Sequence, residues 1–229
     1  MIEESGEAET VGEIAYRKIR SDIIFGRLKP EAKLRLEALR KDYNISVTTL
    51  REIFNRLTSE GFITAEGQKG FRVASVSERD LRELAELRIL IEGYALRGAI
   101  ANGDLEWEAA IVAAHYRLQV MESRMLAGDT SIREQWKNAD WQFHRALISG
   151  AGSRVLLDVH ASVFDKYLRY QMISLTYRGE IAAREHTALK DAALARDAAT
   201  AVKILEKHIA GGVEDSVRRS KEKGLQAAE

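Results

Sequence analysis

The 229-residue sequence predicts a mainly α protein: a small N-terminal unit of three helices and a β-hairpin, followed by an all-α helical bundle. Three observations carry this. Apolar residues recur at helical spacing along most of the chain. The only β-rich text is "FIT" and "FRVASV", separated by the glycine-bearing "AEGQKG". Beyond Ser77 every turn signal separates one helical pattern from the next, with no strand pattern and no internal repeat.

The elements follow in order. Val11, Ile14, Ala15, Ile19, Ile23 and Ile24 lie on one face of a first helix, which Gly26 and Pro30, the only proline, bring to an end. A short second helix covers about 36–43, and Asn44 makes the turn. Ser46 is a good N-cap for a third helix, whose Leu50, Ile53, Phe54 and Leu57 face inward. Gly61 leads into the hairpin, and Ser77 caps the next helix. Helices are then expected at about 78–101, 105–127, 131–150, 153–174, 179–195 and 197–222, punctuated by Asn102-Gly103, Gly128-Asp129, Gly150 and Gly152, Gly179 and Asp197. The domain boundaries expected are 10–76 and 77–222, with a disordered start over 1–9 and a disordered tail over 223–229.

Composition narrows the function. Cysteine is absent, which removes disulfides and thiolate metal sites and fits a cytoplasmic protein. No apolar run approaches the ~18 residues that span a bilayer, and the acidic opening "MIEESGEAET" is unlike a secretory signal, so no membrane partner is expected. The net charge of zero hides an asymmetry. Residues 11–76 hold 13 Lys and Arg against 8 Asp and Glu, whereas 77–229 hold 22 against 23. A basic module on a neutral chain points to a polyanion.

Three helices and a hairpin in this order make a winged helix-turn-helix. Such a unit presents the N-terminal side chains of its second motif helix to base edges, while free backbone N–H groups and the helix dipole favour phosphate there. Thr48, Thr49 and Arg51 occupy that end of the third helix, Arg56 lies farther along it, and Gln68 and Lys69 occupy the hairpin tip. The competing reading is structural: Arg51 paired with a neighbouring carboxylate and the threonines merely tolerated.

In the helical half, "DWQFH" places Asp140 and His144 on one helix face, and His186 and His208 follow on later helices. Donors from three helices can converge on a divalent ion in a bundle core, and one carboxylate with three imidazoles suits zinc, nickel, manganese or iron. Spacing alone leaves a simple helix salt bridge as the alternative.

"YRKIRSDIIFGRLKPEAKL", "ISVTTLREIFNRLTSEGFIT" and "GFRV" together resemble the GntR family of bacterial transcription regulators. The Thr-Thr-Leu-Arg-Glu text is similar to its fatty-acid-regulator branch. The resemblance covers nearly the whole chain, with three departures: Val47 and Glu37 stand where the family has arginines, and Glu31 where it has glycine. Arg35 and Arg40 are the candidates to take over the lost basic contacts. The C-terminal half resembles the FCD ligand-binding domain, whose Asp-x-x-x-His, Glu-His and final-helix His pattern falls on Asp140, His144, His186 and His208. That resemblance implies one divalent metal, zinc first. It also implies Arg88 of "ELRILIE" as an effector-binding arginine, where spacing alone reads an i, i+4 pair with Glu92. Ser153 stands at a position that is often asparagine, and Arg169 is a further candidate to face the cavity. His115 and His160 lie outside the pattern and are expected at the surface or in helix packing.

The implied function is a ligand-responsive, sequence-specific DNA-binding transcription regulator, with a repressor as the leading expectation and an activator as the alternative that the sequence leaves open. It would be a homodimer on a pseudo-palindromic double-stranded operator, sensing a small carboxylate beside the metal. The competing classes are a metal-dependent hydrolase or isomerase, with Glu185 or Asp191 as its acid/base, and an architectural DNA-binding protein whose helical half only dimerises.

Overall fold

The computed structural model describes residues 9–174 and 176–222, and the chain divides into two compact units between Val76 and Ser77. The expected disordered ends therefore fall, for residues 1–8 and 223–229, outside the described residues.

The first unit comprises α1 (Val11–Ile24), β1 (Lys33–Leu34), α2 (Leu36–Asp42), α3 (Val47–Ser59), β2 (Ile63–Ala65) and β3 (Phe71–Val73). The caps form where polar side chains precede an apolar stripe. Thr10 Oγ1 accepts from Glu13 N–H at 3.2 Å, and Ser46 Oγ accepts from Thr49 N–H at 3.0 Å. The stripes of α1 and α3 then bury Ile19, Ile23, Leu50, Ile53, Phe54 and Leu57, with Phe54 meeting Phe71 edge-on at 5.2 Å.

The sheet holds one strand more than the sequence predicts. It is antiparallel in the order β1-β3-β2, with Leu34 opposite Phe71 and Ile63 opposite Val73. A two-residue strand carries no periodicity to read. The chain reaches it through Glu31, whose φ of 63° is left-handed. That backbone position explains the family's glycine, since a Cβ there costs roughly 1–2 kcal/mol. Asn44, at φ 52°, also takes the left-handed region in the turn between α2 and α3, where asparagine is tolerated.

The second unit comprises α4 (Glu78–Asn102), α5 (Leu105–Leu126), α6 (Arg133–Ile148), α7 (Arg154–Ser174), α8 (Glu180–Leu194) and α9 (Ala198–Glu222). Ser77 caps α4 through Asp80 N–H at 3.0 Å, and Asp104 caps α5 through Trp107 N–H at 2.9 Å. α4 packs on α6, α7 and α9; α5 packs on α6 and α8; and α8 packs on α9. The shared core includes Leu96, Ala99, Ile111, Leu118, Phe143, Leu147, Tyr167, Leu189, Leu205 and Ile209. Each helix therefore turns one face toward a common interior. Among the described residues no helix is long and apolar enough to cross a membrane.

Candidate functional site

The first constellation is a surface. α2, the Asn44 turn and α3 put Thr48 and Arg51 at the N-terminal end of α3, both exposed. Among the described residues Arg51 has no carboxylate at ion-pair distance, so the competing salt-bridge reading fails at that position. Thr49 is half-buried, and its Oγ1 lies 2.9 Å from Ser46 Oγ, so its hydroxyl serves the cap. Arg35 is exposed at the N-cap of α2. Arg40 donates from Nε to Glu37 Oε2 at 2.7 Å. Glu37 is thereby neutralised, at the expense of the cation expected to compensate for it.

Arg56 sits in the last turn of α3, bonded to Glu13 at 3.0 Å, 3.5 Å from Glu60, and stacked 3.5 Å above the Tyr16 ring. It ties α3 to α1, because three favourable partners on one side hold the guanidinium against the helix pair. The hairpin tip is a 3-10 turn over Gly67–Lys69 that leaves Lys69 exposed. The Gln68 side chain lies outside what is described.

The second constellation is buried. One atom from each of Asp140, His144, His186 and His208 lies within 4.8 Å of the others. α6 supplies Asp140 and His144 one turn apart, α8 supplies His186 and α9 supplies His208. Asp140 Oδ1 is 3.2 Å from His186 Nε2 and 4.0 Å from His144 Nε2.

The three imidazoles are oriented by three carboxylates. His144 Nδ1 meets Glu92 Oε1, His186 Nδ1 is 2.6 Å from Glu122 Oε1, and His208 Nδ1 is 3.0 Å from Glu185 Oε2. An ionised carboxylate can only accept, so each Nδ1 carries a proton, and the Nε2 atoms of His144 and His186 are the ones that face Asp140. The Nε2 atoms of His144 and His186 are buried without a hydrogen-bond partner. Sequence reasoning did not find Glu92 and Glu122 in this role. Glu92 was legible only as a partner for Arg88, and nothing local marks Glu122, which approaches from α5.

The charges are tuned accordingly. Burial works against ionising Asp140 and Glu92, but Lys137 and His186 around the first, and Arg88 and His144 around the second, hold both well below the usual carboxylate range. Burial likewise opposes charging His186, yet Asp140 and Glu122 raise it to about 9. His208 is pushed down to about 3, by burial first and by the neighbouring His186 next.

Arg88 is 2% exposed and makes the pair that helix spacing suggested, Nε to Glu92 Oε2 at 2.7 Å. Its guanidinium also lies 4.4 Å over the Phe164 ring, and its Nη2 is buried with no hydrogen-bond partner. The pair and a free donor coexist in one side chain. Ser153 is instead spent at the start of α7, where its Oγ accepts from Leu156 N–H at 3.3 Å. Arg169 is buried, with a pKa drawn down to about 10 by that burial. On α7 it lies about 140–160° around the helix from Phe164 and Tyr167, the residues that meet Arg88. The structure thus does not bring Ser153 or Arg169 to Arg88.

The two remaining histidines are both buried. His160 is fully buried, with Nε2 3.2 Å from Glu92 Oε2 and its ring stacked on Trp141 at 5.4 Å. It is not a surface group but part of the Glu92 network. His115 packs edge-on against Phe143 at 5.5 Å, and burial lowers its pKa to about 4. The two acid/base candidates of the enzyme reading are otherwise engaged. Glu185 accepts from Arg178 at 2.8 and 2.9 Å while holding His208, and Asp191 is exposed beside Lys190 at 2.9 Å.

Comparison with known proteins agrees with this architecture. The family described as "Bacterial regulatory proteins, gntR family" matches residues 12–73, and the FCD domain matches residues 83–211. The chain is 34% identical over 203 residues to the HTH-type transcriptional regulator BphR of Paraburkholderia xenovorans, covering 88% of this chain and 83% of that protein. It is also 34% identical over 202 residues to the HTH-type transcriptional repressor GlaR of Escherichia coli, covering 85% and 90%. Among solved structures, E. coli McbR/YncC superposes with a TM-score of 0.79 at 19% identity, over 93% of this chain and 99% of that one, a likeness of fold. With a winged helix in front, an FCD bundle behind, and relatives that are transcription regulators over most of their length, this chain belongs to the GntR family of bacterial transcription regulators.

Proposed function

We propose that the protein is a dimeric repressor whose helical domain holds one divalent metal on Asp140, His144, His186 and His208 and senses a small organic acid there. The observation that carries this is the pair of buried Nε2 atoms without hydrogen-bond partners, on rings whose Nδ1 atoms are bonded to carboxylates. Leaving such groups unpaired is costly, and a metal satisfies them. Zinc is the first choice for three imidazoles and a carboxylate, with nickel, manganese and iron fitting the same donors. Bound there, the ion would act as a Lewis acid toward an anionic ligand. The chain's own contribution to that ligand is Arg88, whose buried Nη2 is positioned by the Glu92 pair and by Phe164.

On the DNA side, Thr48 and Arg51 read base edges, while Arg35, Arg40 and Lys69 meet the backbone. Two copies present two such surfaces to a pseudo-palindromic operator. A ligand moves operator affinity only by as much as it distinguishes the two states of the dimer, typically about 5- to 150-fold. The test is operator titration, with the operator found by genomic fragment selection, in the presence and absence of organic acids identified by thermal shift. Arg88→Ala is expected to weaken the acid's effect while metal content and ligand-free DNA binding stay near wild type. An unchanged response would reduce Arg88 to its pair with Glu92.

A further inference from the structure

One buried cation beside the four-residue cluster has no part in the reading above. Lys137, one turn before Asp140 on α6, has a side chain only 5% exposed. Its Nζ lies 3.3 Å from Asp140 Oδ2 and 2.8 Å from Gln171 Oε1. The two oxygens of Asp140 are therefore divided: Oδ1 faces His186 and His144, and Oδ2 faces the ammonium.

The ammonium is held from behind as well. Gln171 Nε2 donates to Tyr167 Oη at 3.1 Å, and Tyr167 Oη donates to Ile209 O on α9 at 3.3 Å. α9 presents a glycine, Gly212, at this approach. A Cβ there would stand 2.7 Å from Tyr167 Oη and 3.0 Å from Gln171 Nε2. Three helices thus fix the place of Nζ, which also lies 4.3 Å over the Trp136 ring. A hydrophobic side chain would fill this volume with less desolvation cost, so packing alone does not call for a lysine.

We propose that Lys137 is a positioning residue that keeps Asp140 a one-oxygen ligand and so preserves room on the metal for an incoming anion. The inference rests on the metal reading above. With Oδ2 held by Lys137, the cluster offers four donor atoms. Were Oδ2 released, Asp140 could chelate and take the position an anion would use. The arrangement has a cost, because an ammonium beside a ligand repels a dication. Removing it is expected to strengthen metal binding while weakening anion binding, a split that a merely structural lysine would not produce.

The experiment uses full-length protein loaded with Co2+, whose visible absorption reports coordination, and azide as the probe anion. Lys137→Gln keeps a hydrogen-bond donor without the charge, and Lys137→Met removes both. Wild type and Lys137→Gln are expected to take up azide with a change in the visible bands. Lys137→Met is expected to bind Co2+ at least as tightly as wild type and azide at least tenfold more weakly. Azide affinity in Lys137→Met equal to wild type would overturn the proposal. A crystal of the zinc-loaded wild type tests it without any variant. One Asp140 oxygen on the metal at about 2.0–2.2 Å, with Lys137 on the other, supports it, and two oxygens on the metal overturn it. Failure of the wild type to bind Co2+ or zinc would instead remove the metal reading on which the proposal rests.

Discussion

The N-terminal end of α3 and the interior of the helical unit are built on opposite electrostatic principles. At α3 the important cation is exposed, and among the described residues Arg51 has no acidic partner. In the bundle, Arg88, Lys137, Asp140, Glu92 and Glu122 are all buried, and each is compensated by a named neighbour. An exposed cation costs little to maintain and is available to any polyanion. Buried charges persist only with near-complete pairing, so an unpaired atom there carries more meaning than an unpaired surface group. The comparison teaches where to look for a ligand: outside, at the cation without a partner; inside, at the atoms left over once pairing is complete.

The largest effect is expected inside. His144→Ala and His186→Ala should each abolish stoichiometric metal retention, measured by elemental analysis after dialysis, whereas His115→Ala should keep it. Glu122→Gln should lower metal affinity by about 10- to 100-fold, because it orients His186 without touching the metal. Metal content in His186→Ala equal to that in His115→Ala would place the ion elsewhere.

On the outer surface, Arg51→Ala should cost roughly 1–3 kcal/mol of operator binding and relax specificity at one base position. Arg56→Ala should leave operator affinity near wild type and lower the thermal stability of the winged unit, since its partners are Glu13, Glu60 and Tyr16. The opposite ranking in operator titrations would reverse the roles given to the two ends of α3.

The pH dependence sharpens the contrast further. The folded value of His186, about 9, lies above the ordinary ~6.5 of imidazole. Its proton therefore stabilises the metal-free fold fully below pH ~6.5, and that contribution is lost as pH rises through about 9. A metal ion must displace this proton, so affinity should climb by up to about tenfold per pH unit across that window. Calorimetry in buffers of different ionisation enthalpy would count the proton released near neutral pH. A flat affinity between pH 7 and 9 would show that His186 is not displaced from a protonated state.

The smallest effect belongs to the turn between α1 and β1. Glu31→Gly should stabilise the first unit by roughly 0.5–1 kcal/mol, the relief of a left-handed backbone less the added chain entropy of glycine. Urea denaturation measures it. A loss of stability would mean that the exposed Glu31 side chain contributes something its geometry does not show.

The sequence by itself determined the order of the helices, the hairpin and the caps at Ser46 and Ser77, and its resemblance to the FCD pattern marked Asp140, His144, His186 and His208 as a set that could meet. The helices, hairpin and caps are local, or are repeated at a fixed spacing, so text alone carries them. Only the tertiary structure decided the rest. It added β1, too short to have a period, and tied Arg56, in the last turn of α3, to Tyr16 and Glu13. It turned Arg169 to a different face of α7 from the residues that meet Arg88, and spent Ser153 on Leu156 N–H. It also recruited Glu92, Glu122, Glu185, His160 and Lys137 around the cluster. The reason is physical. A buried charge takes its role from whatever reaches it across the core, and Glu122 and His186 are 64 residues apart in the chain yet 2.6 Å apart in the fold.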